Sequence, residues 1–450
     1  VKEETTSTRD HAIVIGGSMA GLLTARVLAN HFARVTLIER DPFGDGPESR
    51  KGQPQTRHLH GLLAQGADIM VGYFPGLLDD LRAAGAFVGD AAASMRWFVN
   101  GGYRTRFPSH LTGATMTRPF LEWLIRSRVA ALPNLTLRHG HGVAELVATQ
   151  DRRRVTGVRL TGSDNHPGDV LSAELVVDAA GRGSAAPRWL KALGYDEPEE
   201  TVLRVDVGYA TRIFRRDPNA PGAWEWIFVT PVAPRERRIG GAFPVEGHRW
   251  ILTLGGWFGD HPPTDEAGFR GYARELPAPD IYQIASTCEP LSDIVSYKFA
   301  ASIRRHYERM TRFPEGYLVL GDAACSFNPV YGQGMTSAAM QAAALDQLLA
   351  RRGAGWSEGL APEFFQRVAK VVDPPWQLAV GEDFRFPEAV GKRPPGTNLI
   401  NSYVSQVHKA THRDPTVGLA FLEVMNLLKP PATLMRPSIV ARVLKDRLVH

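Results

Sequence analysis

Residues 315–341 read EGYLVLGDAACSFNPVYGQGMTSAAMQ, and this stretch decides the fold. An apolar strand from Tyr317 to Leu320 runs straight into Gly321-Asp322, a loop turned by Pro329, Gly332 and Gly334 follows, and a long Ala-rich helix begins near Met335. A strand, a glycine loop and a helix N-terminus in this order present unpaired backbone N–H groups and the positive end of a helix dipole. Together they favour an anionic or electron-rich ligand group.

A second loop of this kind lies near the N-terminus. His11 to Ile15 reads as a buried strand, Gly16-Gly17-Ser18-Met19-Ala20-Gly21 as a tight turn, Leu22 to Asn30 as a helix and Val35 to Glu39 as the next strand. The spacing is that of a dinucleotide fingerprint: Gly16 makes the turn, Gly21 lets helix and sheet approach, and Glu39 ends the second strand where a ribose needs a carboxylate. The middle glycine is replaced by Ser18, whose side chain is small enough to let the backbone approach a pyrophosphate. The bland alternative is an ordinary strand–turn–helix.

Composition bounds the rest. A chain of 450 residues that is 44% apolar buries a large core and forms two closely joined domains or one large one. The formal charge is +5, yet no Lys-rich block occurs, which speaks against a nucleic-acid footprint. Arginine is abundant and lysine scarce. The two cysteines, Cys288 and Cys325, are far apart, so a disulfide scaffold is not expected and a reducing, cytoplasmic setting fits. No apolar run follows VKEETTSTRD, and no uninterrupted apolar stretch reaches the length of a membrane span.

Between the two loops, Arg50 to His60 (RKGQPQTRHLH) is a polar loop leading into an apolar helix. His58 and His60 lack a third ligand of obvious spacing, so no metal is assigned; the loop is either a basic lip over a ligand or a solvated connection. Thr117 starts a helix with Pro119 just inside it, placing Arg118 at the N-terminal end, either reaching a phosphate or lying on the surface. Strands follow at Leu135 to His139, Gly142 to Ala148, Arg154 to Thr161 and Ala173 to Asp178, the last ending in VVDAAGRGS, which lacks the GxGxxG spacing. From Val202 to Phe258 the segments RVDVGYATRIF, AWEWIFVTPV, RRIGGAFPV and RWILTLGGWF read as successive antiparallel strands. Their aromatic residues, with Tyr209, Trp224, Trp226 and Phe228 foremost, suit the wall of an apolar substrate chamber, although alternating aromatics are more often plain core. Everything after the glycine loop is mainly helical. The last helix, Pro437 to Val449, is basic and amphipathic, packing on the body or touching a membrane surface.

VIGGSMAG with Glu39-Arg40, VVDAAGRGS, and YLVLGDAACSFNPVYGQGMTSA, in this order, resemble the FAD-dependent monooxygenases with the fold of p-hydroxybenzoate hydroxylase. The segments RKGQPQTRHLHGLL and NPVYGQGMTSA are similar to bacterial epoxidases acting on polyene precursors of polyether antibiotics, relatives of squalene epoxidase. The resemblance implies an α/β fold: a Rossmann-type FAD-binding domain (1–200 and 301–390), an inserted antiparallel β-sheet substrate domain (201–300) and a helical C-terminal region (391–450). It implies that Gly16, Ser18, Met19, Ala20 and Gly21 hold the FAD pyrophosphate, with Glu39 and Arg40 at the adenosine ribose. Arg50, Arg118 and Gly181 lie near the cofactor, Val143 near the adenine, and Asp322 near the ribityl phosphate. Pro329, Gly332, Gln333, Gly334 and Met335 face the isoalloxazine ring.

The implied activity is insertion of one oxygen atom from O2 through a flavin hydroperoxide, with epoxidation of an apolar polyketide or terpenoid in secondary metabolism as the favoured outcome. Such chemistry needs no protein nucleophile or strong base, and no catalytic side chain is assigned. Ala180-Gly181 stands where aromatic hydroxylases carry Asp-Gly, which leaves two routes open for electrons from NADPH or NADH: through a separate flavin reductase, as in some relatives with this motif, or directly. An aromatic polyketide hydroxylase using NADPH directly is the main alternative. A prenyl-chain reductase, a non-catalytic flavoprotein and a halogenase follow; Trp224-Glu225-Trp226 matches part of the halogenase tryptophan motif, but no lysine occurs between Lys51 and Lys191. Cys325 stands where many relatives have His, and is expected to be a packed side chain.

Overall fold

The computed structural model describes residues 9–162, 168–220, 222, 225–353 and 355–449. Its framework is a five-stranded sheet ordered Tyr317–Val319, Leu175–Asp178, His11–Ile15, Arg34–Glu39 and Leu135–His139, every pair parallel. HAIVI and LVVD are buried along their whole length, as strands covered on both faces must be. The strand expected to begin the chain is thus central, VVDAAGRGS leaves the strand beside it, and the Gly321 loop leaves the next strand out, at the sheet edge.

The first glycine turn is made by two close approaches. Gly16 has φ +102°, and a Cβ added at Gly21 would lie 1.8 Å from the Gly16 carbonyl oxygen. The helix behind the turn is Met19–Leu28 and so begins three residues before the expected Leu22, because Ser18 is extended and serves as its N-cap. The helix after the second loop is Gly334–Ala350. These two helices pack against each other, their Ala-rich faces permitting close contact.

A second sheet has eight strands, in the order Cys325–Ser326, Val295–Arg305, Glu200–Arg215, Arg249–Trp257, Arg238–Val245, Trp226–Val229, Met95–Val99 and Gly102–Tyr103. The expected run of successive antiparallel strands is therefore corrected in two ways. Glu200–Arg215 pairs with Arg249–Trp257 and Val295–Arg305, not with the strand that follows it. Trp226–Val229 lies parallel to Met95–Val99, a strand from far earlier in the chain. Tight turns at Gly247-His248 and at Asn100-Gly101 make local hairpins, joining Arg238–Val245 to Arg249–Trp257 and Met95–Val99 to Gly102–Tyr103.

Alternation along these strands sorts their side chains. Trp250, Leu252 and Leu254 pack on the helices Glu266–Arg274 and Asp280–Thr287. Ile251 and Phe243 face the other way, toward the C-terminal helices Thr397–Ala410, Pro415–Met425 and Pro437–Val449. The last of these packs on the body through Ile439 and Val443, leaving Leu444 and Leu448 exposed. Among the described residues no helix is long and apolar enough to cross a membrane.

The Gly21 contact makes a clear expectation. Gly21→Ala should lower Tm by more than about 3 °C, because the new methyl overlaps backbone that has nowhere to move. Gly271→Ala, in a helix where an added Cβ meets nothing within 4 Å, should leave Tm unchanged or raise it slightly. Thermal melts of the two variants side by side decide it; equal melting temperatures would refute the packing role given to Gly21.

Candidate functional site

Both glycine loops open on one cavity of about 860 Å³, at the upper end of the size of small-molecule sites. Of the residues expected to contact a cofactor, Gly16, Ser18, Met19, Ala20, Glu39, Arg40, Arg118, Val143, Gly181, Asp322, Pro329, Gly332, Gly334 and Met335 line it. Three do not. Gly21 lies beneath the turn, Arg50 stands behind it, and the Gln333 side chain is buried, its amide donating to the Met425 carbonyl at 3.2 Å.

No side chain caps either of the two helices that begin here. Gly332 adopts φ +69°, and a Cβ placed at Gly332 or Gly334 would meet no atom within 4 Å, so the loop presents bare backbone to open space. Two uncapped helix N-termini therefore point their N–H groups into the same cavity. This fits a ligand with a diphosphate at one loop and an electron-rich ring at the other.

Behind the first loop a buried polar cluster sets its shape. Glu39 accepts from the Gly17 N–H at 2.7 Å and the Asp41 N–H at 2.9 Å, and Arg50 lies 3.0 Å from its Oε2. Arg50 also bridges to Glu122 and donates to the Gly17 carbonyl at 3.1 Å. Burial opposes the Arg50 charge, but Glu122 and Glu39 outweigh it and raise its pKa. Ser18 donates to Glu122 at 3.0 Å and accepts from Arg118 at 2.9 Å. Arg118 is buried, not a surface residue, and its Nε has no hydrogen-bond partner. Burial pulls its pKa down against the pull of Glu122 and Asp322. Asp322 is open to the cavity though protein surrounds it. Burial raises its pKa, while Arg118 and Arg182 lower it.

The middle motif lines the cavity from Ala179 to Gly183, with Arg182 as its charged side chain. Asp178 is fully buried, accepting from the Ala180 N–H at 2.8 Å, Ser184 Oγ at 2.6 Å and Tyr317 OH at 3.2 Å. Its carboxyl thus shapes the turn and does not reach the cavity. Cys325 is buried away from the cavity, and burial pushes its thiol pKa up, which leaves it a packed side chain.

The large sheet forms one wall. Tyr209, Trp226 and Phe228 all line the cavity, with Thr253, Tyr297 and Trp257 on the same sheet face. Trp224 lies outside the described residues. The polar loop borders the cavity through His58 and His60. His58 Nδ1 meets Thr211 Oγ1 at 2.7 Å, and His60 Nδ1 meets the His58 carbonyl at 2.8 Å. Burial lowers their pKa values to about 4 and about 3, so both rings are neutral.

Sequence reasoning missed the opposite wall, built by the helices Leu360–Asp383, Thr397–Ala410 and Pro415–Met425. It brings Glu382, Arg385, His408 and Phe421 to the cavity. The signal lay in GEDFR, two adjacent carboxylates and an arginine at the C-terminal end of the first of these helices. Their fates differ. Glu382 borders the cavity, whereas Asp383 is buried behind the second loop and accepts from Tyr331 OH at 2.8 Å and Asn328 Nδ2 at 2.9 Å. Asn328 in turn accepts from Tyr209 OH at 3.0 Å. Burial, against these donors, raises the Asp383 pKa to about 7.

No protein-family model matches the chain. It is similar to Protein Rv3254 of Mycobacterium tuberculosis (strain ATCC 25618 / H37Rv), with 33% identity over 456 residues covering 98% of this chain and 94% of that protein. It is also 27% identical over 352 residues to 6-methylpretetramide 4-monooxygenase of Streptomyces rimosus, covering 75% of this chain and 74% of that one. Among solved structures, the flavin-dependent halogenase CmlS superposes with a TM-score of 0.65 at 17% identity, over 91% of this chain and 74% of its own. The 2-methyl-3-hydroxypyridine-5-carboxylic acid oxygenase does so with a TM-score of 0.59 at 19% identity, over 94% and 98%. The fold is that of the flavin-dependent monooxygenases and halogenases.

Asp383 leaves a mark on stability. With a native pKa near 7 against 3.8 for a free carboxyl, the folded state holds its proton more tightly than the unfolded chain. The associated stability is complete below about pH 4 and is lost as pH rises through 7. The Tm difference between Asp383→Asn and wild type should therefore move in favour of the variant as pH rises from 4.5 to 8. A difference independent of pH in paired thermal melts would refute it.

Proposed function

The chain belongs to the family of Protein Rv3254 of Mycobacterium tuberculosis, and we propose that it is a FAD-dependent monooxygenase acting on a polycyclic, largely apolar substrate. The observation that carries this reading is the pair of uncapped helix N-termini opening on one cavity that continues into an aromatic chamber. The backbone of Gly16, Ser18, Met19 and Ala20 would hold the pyrophosphate, with Gly21 allowing the approach and Arg118 bordering the same space. Glu39 retains lone pairs for a ribose hydroxyl, while Arg50 fixes its orientation from behind. Arg40 and Val143 border the adenosine end; Gly181 and Asp322 lie between the two loops. Pro329, Gly332, Gly334 and Met335 would flank the ring, and Gln333 braces that loop from behind.

Bound FAD would supply the activation of O2. The protein's share is to hold the cofactor, orient the substrate and keep water out. Among the outcomes, hydroxylation of an aromatic polyketide is favoured over epoxidation of a polyene, because Glu382, Arg385 and His408 give the chamber a polar end that a hydrocarbon chain cannot satisfy. The similarity to 6-methylpretetramide 4-monooxygenase supports the same substrate class. For the electron supply, NADPH or NADH acting through a separate flavin reductase is favoured, since Ala180 carries no functional group and Asp178 is committed inside the protein.

The test is the visible spectrum of the protein supplied with FAD, before and after anaerobic NADPH. We expect a bound-flavin spectrum that NADPH alone bleaches slowly and that added flavin reductase bleaches at once. A protein that takes up no flavin would end the monooxygenase reading. Fast bleaching by NADPH alone would end the reductase proposal and leave the rest standing.

A further inference from the structure

The polar end of the chamber is built as a relay of fixed donors. Arg104 is buried with its guanidinium between the rings of Trp97, 3.8 Å away, and Phe421, 4.0 Å away. Its Nη2 lies 2.7 Å from His408 Nδ1. An arginine has donors and no acceptor, so His408 Nδ1 must offer its lone pair and the ring proton must sit on Nε2. That Nε2–H faces Glu382 Oε1 at 4.0 Å. Arg385 holds the same carboxylate, with Nε 2.7 Å from Oε2 and Nη2 donating to Oε1 at 3.2 Å, and is itself anchored on Ser405 Oγ at 2.7 Å.

The outcome is an oriented charge. Burial works against ionisation of Glu382, but Arg385 and His408 overcome it and hold its pKa down to about 2. Burial lowers the His408 pKa to about 4, so the ring stays neutral and keeps its tautomer. The Glu382 side chain is 32% accessible and borders the cavity, whereas neighbouring Asp383 is turned behind the second loop. Around it the chamber is apolar, walled by Trp97, Trp226, Phe228, Phe243 and Phe421. A ligand that fills such a chamber strips water from the carboxylate and must replace the lost hydrogen bonds.

We propose that Glu382 is the substrate-positioning residue of this chamber, accepting a hydrogen bond from a phenolic or enolic hydroxyl of a polycyclic aromatic substrate, with Arg385 fixing its orientation and the Arg104–His408 pair standing behind it. This rests on the monooxygenase reading and adds the polar group that the substrate must carry. A carboxylate this acidic accepts a hydrogen bond without taking the proton, so its role is orientation and selection. It would set which ring edge meets the glycine loop at the other end of the cavity.

The experiment uses the FAD-loaded protein and two probes titrated by calorimetry at pH 6.5, 2,6-dihydroxyanthraquinone and its dimethyl ether, which keeps the rings and loses the donors. Wild type should bind the dihydroxy probe at least about tenfold more tightly, the range expected of a hydrogen bond to a charged group. In Glu382→Gln the preference should fall to within about threefold, with flavin content and Tm showing that the variant is folded. Equal affinities for the two probes in flavin-loaded wild type would overturn the proposal while leaving the monooxygenase reading intact, and so would a variant that keeps the full preference. A protein that takes up no flavin would overturn both.

Discussion

The close approach of Gly21 to the Gly16 carbonyl is the constraint on which the rest of the site depends. It draws the first helix against the parallel sheet and fixes where its N-terminus opens. The second loop helix packs on the first, so its own N-terminus is carried to the same cavity. A helix end without a cap leaves donors unsatisfied, and a fold that leaves two such ends facing one space stores binding capacity there. The aromatic sheet and the C-terminal helices then close that space from the sides, which turns an anion site into a chamber.

Ser18 shows how a departure from a glycine pattern can be absorbed. Its hydroxyl joins Glu122 to Arg118, and the Glu39–Arg50–Glu122 chain ties the loop backbone to the helix that starts at Arg118. Two carboxylates and two guanidinium groups leave no net charge in this cluster. Buried pairs of this kind are poor sources of stability because desolvation offsets their attraction, and what they supply is orientation. Arg118 has a donor without a partner, and with Ser18 and Glu39 it borders the cavity.

What the sequence made legible was local. Strand, glycine turn and helix follow one another within a few residues, so the loops at Gly16 and Gly332, the helix start at Thr117 and the strand Leu135–His139 could be read from spacing and periodicity. Arg118 could be placed at its helix end, with Glu122 one turn on, but its burial also depended on Ser18, which only the folded chain brings near. The strand order of the large sheet was not legible. Trp226–Val229 finds its partner in Met95–Val99, and nothing in either segment encodes a pairing across so long a separation. Likewise the region after residue 360 read only as mainly helical, and the packing of its helices reveals that one flank walls the cavity.

Glu382 and Asp383 carry this furthest. Adjacent residues on a helix point about 100° apart, so two carboxylates that look equivalent in sequence enter different surroundings. One meets Arg385 and the Nε2–H of His408 and stays ionised at the chamber's edge. The other meets Tyr331, Asn328 and the indole of Trp257 in the interior, where burial favours the neutral acid. Environments that drive neighbouring acids apart divide labour between them. An always-charged acceptor can select a substrate by its hydroxyl, whereas an acid titrating near neutrality couples to pH. The single helix that carries both therefore joins the chamber, through Glu382, to the second glycine loop, through Asp383 and Tyr331.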